Sequence, residues 1–181
     1  MLVIIGPSAC GKTQIVNKLI SDFGYKKLVT YTTRPMRLNE KQGIDYNFIT
    51  EEKFKEKINN SFFIEYVKYN NNYYGTSYSD LSKDKVVIIE AEGLKSYLEE
   101  ARNQITVIFI RCSKPIRRIR MIERLDSEEN IQKRLNSDDI VFNENVQALA
   151  DYVIDSSNSN VYDCAKLVDS LYKKSVNSDA N

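Results

Sequence analysis

Near the start of the chain, Gly6-Pro7-Ser8-Ala9-Cys10-Gly11-Lys12-Thr13 spells the pattern G-x-x-x-x-G-K-[ST] directly after the apolar run Leu2, Val3, Ile4, Ile5. A strand, then this loop, then a helix is the context in which the pattern binds nucleoside triphosphate phosphates. Glycines at the two fixed positions let backbone N–H groups turn inward around phosphate oxygens, where side chains would obstruct them. Lys12 can reach the β/γ-phosphates, the Thr13 hydroxyl can ligate Mg²⁺, and the following helix points its positive end at the anion. ATP or GTP binding follows.

A second set of residues has the chemistry of an acceptor site. Arg34 and Arg37 place two guanidinium forks on one Pro-stiffened segment, Thr32-Thr33-Arg34-Pro35-Met36-Arg37, which suits a phosphate monoester dianion. Tyr46 and Tyr74 can add hydroxyl donors to the same oxygens. The Glu65 carboxylate can accept two parallel hydrogen bonds, which guanine offers on N1–H and its exocyclic amine and adenine does not. Taken singly, these are surface arginines, core tyrosines and a solvated glutamate; as an ordered set beside a phosphate loop they point to an acceptor. The chain contains no histidine, so its chemistry must run without a histidine base, nucleophile or metal ligand. Phosphoryl transfer meets that limit, because it relies mainly on positioning and charge neutralisation.

The elements that must hold these residues can be read from periodicity. Ile15, Val16, Leu19, Ile20 and Phe23 recur at helical spacing, so Lys12 to Phe23 is predicted as an amphipathic helix stopped by Gly24. Lys27 to Thr33 reads as a strand, Arg34 to Asn47 as a turn-rich segment, and Glu51 to Asn60 as a charged helix. Strands are predicted over Phe62 to Tyr69 and Tyr73 to Ser77, around the turn Asn70-Asn71-Asn72. Val86 to Ile89 and Thr106 to Ile110 are apolar runs of the kind buried in a parallel sheet, separated by a helix from about Leu94 to Ala101. Pro115 to Leu149 is charged and helical, interrupted around Asp126 to Asn130. A short strand over Tyr152 to Ile154 and a helix over Val161 to Val176 follow, with Asn177 to Asn181 frayed. The alternation implies an α/β fold: a three-layer P-loop NTPase domain with a central parallel sheet. Residues 33–83 interrupt it with short strands and read as an inserted lobe.

On these residues the chain resembles the guanylate kinase family from its first strand to about Leu149. The family's phosphate loop is similar to GPSACGKT, its phosphate-recognition segment to TTRPMRLNEKQGIDYNF, and its guanine-contacting stretches to FIEY and YYGT. The resemblance implies Mg²⁺-dependent transfer of the γ-phosphoryl of ATP to GMP or dGMP. By position it assigns ATP binding to Gly6, Ser8, Ala9, Cys10, Gly11, Lys12, Thr13 and Gln14, with Thr13 on the metal. Arg34, Arg37, Tyr46 and Tyr74 would hold the acceptor phosphate, while Glu65, Thr30 and Thr76 would read guanine. Glu90 stands where the family has Asp, near Mg²⁺ or the acceptor. Lys12 with Arg120, Arg124 and Arg134 would be catalytic, the arginines lying on a mobile lid that is one residue shorter than the family's. Arg117, Arg118 and Arg120 crowd one helix, an arrangement that also fits a solvated basic face. The implied layout is a core of about 1–32, 84–115 and 135–181, a monophosphate-binding lobe of about 33–83 and a helical lid of about 116–134. Two alternatives stay open: a related P-loop kinase for another phosphorylated acceptor, and a non-catalytic guanylate-kinase-like binding module.

Composition sets the remaining bounds. Lys and Arg number 26 against 25 Asp and Glu, so no global basic field points to nucleic acid. No apolar stretch reaches the length of a membrane span and no leader is evident, which makes the cytoplasm the expected location, with a monomer or homodimer as the expected state. Cys10, Cys112 and Cys164 form no C-x-x-C pair and indicate neither a disulfide framework nor a zinc site. Cys10 reads either as a reactive thiol beside Lys12 or as a small side chain tolerated in the loop.

Overall fold

The computed structural model describes residues 1–38, 40–69 and 71–178. Asn39, Asn70 at the Asn-rich turn and the chain end over 179–181 lie outside the described residues. The chain forms two compact units, Met1–Lys26 with Lys83–Ala91 and Ile105–Asn181, and Lys27–Ser82 with Glu92–Gln104.

In the first unit, β1 (Leu2–Ile5) is buried along its whole length and lies between β7 (Lys85–Ile88) and β8 (Thr106–Arg111), parallel to both. β9 (Tyr152–Asp155) continues the parallel sheet beyond β8, and β2 (Lys26–Lys27) edges it beyond β7. A strand buried on both faces needs the continuous apolar run that Leu2 to Ile5 supplies. On one face, Leu2, Ile4, Ile108, Ile110 and Ile154 pack with Ile15, Val16 and Leu19 of α1 (Lys12–Phe23) and with Cys164, Ala165 and Val168 of α7 (Val161–Ser178). Strand alternation turns Phe109 to the other face, where its ring meets Phe142 edge-on at 6.2 Å. Phe142 caps α5 (Glu128–Val141), which pairs with α4 (Lys114–Glu123) through an apolar group of Met121, Ile131 and Leu135. The single helical turn α6 (Glu144–Gln147) leads into β9.

The second unit is built on a four-stranded sheet in the order β4 (Asn47–Phe48), β3 (Tyr31–Thr32), β6 (Asn72–Ser77), β5 (Phe63–Tyr69). α2 (Glu51–Asn59) starts at Thr50, whose hydroxyl accepts from Lys53 N at 3.3 Å. It buries Phe54 completely, with the Phe63 and Tyr73 rings stacked on it at 4.3 and 5.2 Å. α3 (Ala91–Ala101) contributes the fully buried Tyr97.

Most predicted elements stand within two or three residues of their observed bounds; one does not. Lys27 to Thr33 is not one strand: Lys26–Lys27 edges the parallel sheet and Tyr31–Thr32 joins the other sheet, with the chain changing sheets between them. The helix containing Leu94 to Ala101 starts at Ala91 and groups with the second unit. The last helix continues to Ser178, past the expected start of fraying at Asn177. Among the described residues no helix is long and apolar enough to cross a membrane.

Candidate active site

The phosphate loop joins β1 to α1, and its shape is set by close backbone approaches. Gly6 has φ 146°, and a Cβ there would lie 2.1 Å from the Ile110 carbonyl oxygen, so only glycine fits. Gly11, at φ 95°, opens α1, and Ala9 adopts φ 59°, a left-handed conformation unusual for a residue with a side chain. The Lys12 ammonium folds back over the loop, donating to the Gly6 and Pro7 carbonyls at 2.6 and 2.8 Å, with the Phe142 ring 5.9 Å away. Cys10 is fully buried, and burial pushes its thiol above the usual range, so the small-side-chain reading stands and the reactive-thiol reading does not.

Three further residues brace this loop. Arg120 donates to the Ala9 carbonyl at 3.2 Å and to the Ser156 carbonyl at 2.8 Å. The Ser156 hydroxyl donates to the Cys10 carbonyl at 2.7 Å. The Asp138 carboxylate accepts from Ser8 N at 2.9 Å and from Arg117 Nη1 at 2.9 Å. Arg117 is therefore buried, not part of a solvated basic face, while Arg118 is exposed and pairs with Glu128. Arg124 and Arg134 are exposed on the α4–α5 hairpin, and Arg134 lies 3.6 Å from Asp126. Glu90 is exposed just beyond β7. Thr13 and Gln14 sit in the first turn of α1.

The second unit holds the residues expected to bind an acceptor. Arg34 pairs with Glu40 at 2.7 Å, and its guanidinium lies 5.5 Å from the Tyr46 ring and 5.7 Å from the Phe48 ring. The Tyr46 and Tyr74 rings are 6.1 Å apart. Glu40, with Tyr74 behind it, holds the Arg34 pKa above its ordinary value. The second Glu40 oxygen accepts from Arg37 N at 2.8 Å, so one carboxylate fixes both arginine positions while the Arg37 side chain stays exposed. Glu65 lies at a β-bulge in β5 and accepts from the buried Thr76 hydroxyl at 2.8 Å. Burial pushes its carboxyl above the ordinary range, and the Thr76 bond opposes that shift in part. Gly75 lets the two strands close beside this pair: a Cβ there would meet Phe54 at 3.0 Å and the Glu65 carbonyl oxygen at 3.1 Å. Thr30 adjoins the group, its carbonyl accepting from Asn47 N at 2.8 Å.

The structure thus brings together Arg34, Tyr46 and Tyr74, and separately Glu65 and Thr76. Sequence reasoning passed over Glu40, Asp138, Arg117 and Ser156 as working residues. Glu40 had a local signal, a lone acid just after two arginines. Asp138 lies 130 positions from Ser8 and had none.

A parallel sheet with a glycine-rich phosphate loop after its first strand, together with a small mixed-strand unit, makes up a P-loop kinase fold. Shikimate kinase from Acinetobacter baumannii shares that fold at a TM-score of 0.55 and 11% identity, over 96% of this chain and 93% of its own. The family model described as guanylate kinase matches residues 1–174, and the chain belongs to that family. It is 31% identical to the guanylate kinase of Sulfurimonas denitrificans over 179 residues, 92% of this chain and 83% of that protein. Against the guanylate kinase of Legionella pneumophila strain Paris, identity is 35% over 138 residues, 72% of this chain and 66% of that protein, just under two thirds of its length. The crystal structure of guanylate kinase from Anaplasma phagocytophilum superposes with a TM-score of 0.65 and 25% identity, covering 97% of this chain and 85% of the other.

Proposed function

We propose that the protein transfers the γ-phosphoryl group of ATP to GMP or dGMP, giving ADP and the nucleoside diphosphate. The observation that carries this reading is Glu65, a half-buried carboxylate oriented by Thr76 in the same unit as the Arg34, Tyr46 and Tyr74 group. One end of that unit suits a purine bearing paired donors and the other a phosphate dianion. Family membership and the intact Gly11-Lys12-Thr13 favour a working kinase over a binding module.

The donor phosphates would lie on the loop from Gly6 to Gln14, with Lys12 releasing the Gly6 and Pro7 carbonyls for the β/γ-phosphates. Arg34, Arg37, Tyr46 and Tyr74 would fix the acceptor phosphate, and Glu65, Thr76 and Thr30 the guanine. Arg124 and Arg134 are exposed cations on the α4–α5 hairpin, the proposed lid (about 116–134), and would clamp the transferring group. Arg120 would act from beneath the loop, where it already holds the Ala9 carbonyl. In-line attack needs the acceptor oxygen within about 3–3.5 Å of the phosphorus, so most of the catalytic work is alignment and cancellation of charge.

Among the described residues no cluster of three acidic, Cys or His side chains could hold a metal by itself. A lone hydroxyl, Thr13, beside a phosphate cradle fits Mg²⁺ held mainly by substrate phosphates and water. Thr13 would hold it, with Glu90 the acid in the family's position, and the ion would neutralise the anionic oxygens. The reading also places the protein in the cytoplasm.

The test is a coupled ADP-release assay over GMP, dGMP, AMP, CMP and UMP with Mg²⁺-ATP. Turnover with the guanine nucleotides well above the others is expected. Equal turnover across the panel, or turnover without an acceptor, would sink the assignment.

A further inference from the structure

The α4–α5 hairpin carries a buried ion pair that the transfer reaction itself does not call for. Side-chain exposure is 5% for Arg117 and 10% for Asp138. Arg117 Nε has no hydrogen-bond partner among the described residues. A buried pair of this kind rarely contributes net stability, and apolar replacements of similar volume often do as well or better. Asp138 also has capacity beyond its arginine. Its Oδ2 accepts from Ser8 N at 2.9 Å and its Oδ1 from Ser8 Oγ at 3.3 Å. Arg117 meanwhile spans two acids, reaching Asp139 through Nη2 at 3.0 Å, and Lys114 holds Asp139 from the other side at 2.6 Å.

The same helix touches the loop again one turn later. Phe142 N donates to the Asp138 carbonyl at 2.8 Å, and the Phe142 ring faces the Lys12 ammonium. Ala9, with its left-handed backbone, packs into the Met121, Ile131 and Leu135 group of the hairpin. Loop residues Ser8, Ala9 and Lys12 are thus held by one hairpin through a carboxylate, an apolar seat and a ring face.

We infer that Asp138, oriented by Arg117, is a positioning residue that sets the conformation of the phosphate loop for the triphosphate, so that hairpin geometry and ATP affinity are linked. With the Ser8 amide bound to Asp138, the amides later in the loop are left to form the cradle. The inference rests on the proposal that ATP is the donor, and it concerns ATP affinity without affecting recognition of the acceptor.

The experiment measures ATP and GMP affinities by calorimetry, together with thermal denaturation, for the wild type, D138N and the double variant R117M/D138A. The double variant removes both charges and should melt at or above the wild-type temperature. Loss of the Ser8 bonds should weaken its ATP binding about 5–30-fold, the equivalent of one to two hydrogen bonds, with GMP affinity within about twofold. D138N keeps one acceptor for Ser8 and loses the charge, so a smaller drop of about 2–5-fold in ATP affinity is expected. Unchanged ATP affinity in either variant, or an equal loss for GMP, overturns the inference; if the double variant does not fold, D138N decides alone. Absence of phosphoryl transfer by a wild type that binds both nucleotides would sink the proposed reaction and leave this inference standing.

Discussion

The two units hold their candidate sites by different means. Around the loop the working groups are mostly backbone, and the side chains nearby serve to hold it: Arg120 and Ser156 bond its carbonyls, Asp138 its amide, and Lys12 bonds Gly6 and Pro7. In the second unit the working groups are side chains on a small sheet, kept in place by an aromatic cluster around Phe54 and by Glu40. A backbone cradle recognises a phosphate chain and little else. A side-chain site can discriminate between acceptors, because a buried carboxylate left without its partner donors is costly. On the proposed reading, generality belongs to the first unit and specificity to the second.

That division can be tested by substitution. Lys12→Ala should have the largest effect, lowering kcat by about 10²–10³-fold with every acceptor nucleotide, as measured by ADP release. An acceptor-dependent loss would break the division. Next, Glu65→Gln should cut kcat/KM for GMP by about 10²-fold while leaving the ATP KM near wild type, because the carboxamide repels one of the two guanine donors. Arg37→Ala should follow at about 10-fold or somewhat more in the GMP KM, again with ATP binding nearly unchanged, since its side chain is exposed. Equal loss of both affinities would remove Arg37 from the acceptor site.

The pH response sharpens the same contrast. Burial raises the Glu65 pKa above that of the unfolded chain, so ionisation with rising pH costs the folded state some stability. In the proposed role, Glu65 accepts the guanine donors in its ionised form. The GMP KM should therefore climb as pH falls through that raised pKa, while the ATP KM stays flat, and Glu65→Gln should abolish the climb. Steady-state kinetics from neutral to mildly acidic pH would show it. The smallest effect on chemistry should come from Gly75→Ala. The added methyl crowds Phe54 and the Glu65 carbonyl and should destabilise the protein by about 1–3 kcal/mol, read by denaturant titration.

Much of this was legible in the chain. The strand before the loop, the helix over Lys12–Phe23 and its Gly24 stop depend on residues within a few positions of one another, and they stand as read. Arg34, Tyr46 and Tyr74 were named as a set from spacing and family resemblance, and the structure brings them together. The strand expected over Lys27 to Thr33 was misread because β propensity does not say which sheet a residue joins. Arg117 was assigned a solvated alternative because an arginine-rich helix normally faces water, and nothing nearby in sequence announced Asp138, 21 positions on.

By itself, then, the sequence determined the chemistry that each local segment can offer: a phosphate loop, paired guanidiniums and a carboxylate able to accept two parallel hydrogen bonds. These follow from residue type and short-range spacing, which the covalent chain sets directly. Tertiary structure alone decided how those segments are held. The Asp138–Ser8, Arg120–Ser156 and Glu65–Thr76 bonds join residues brought together by strand crossovers and hairpins, and α3 falls in with the acceptor unit for the same reason. Such contacts depend on the packing of whole elements, where burial raises the worth of each polar bond, and no local pattern carries that information.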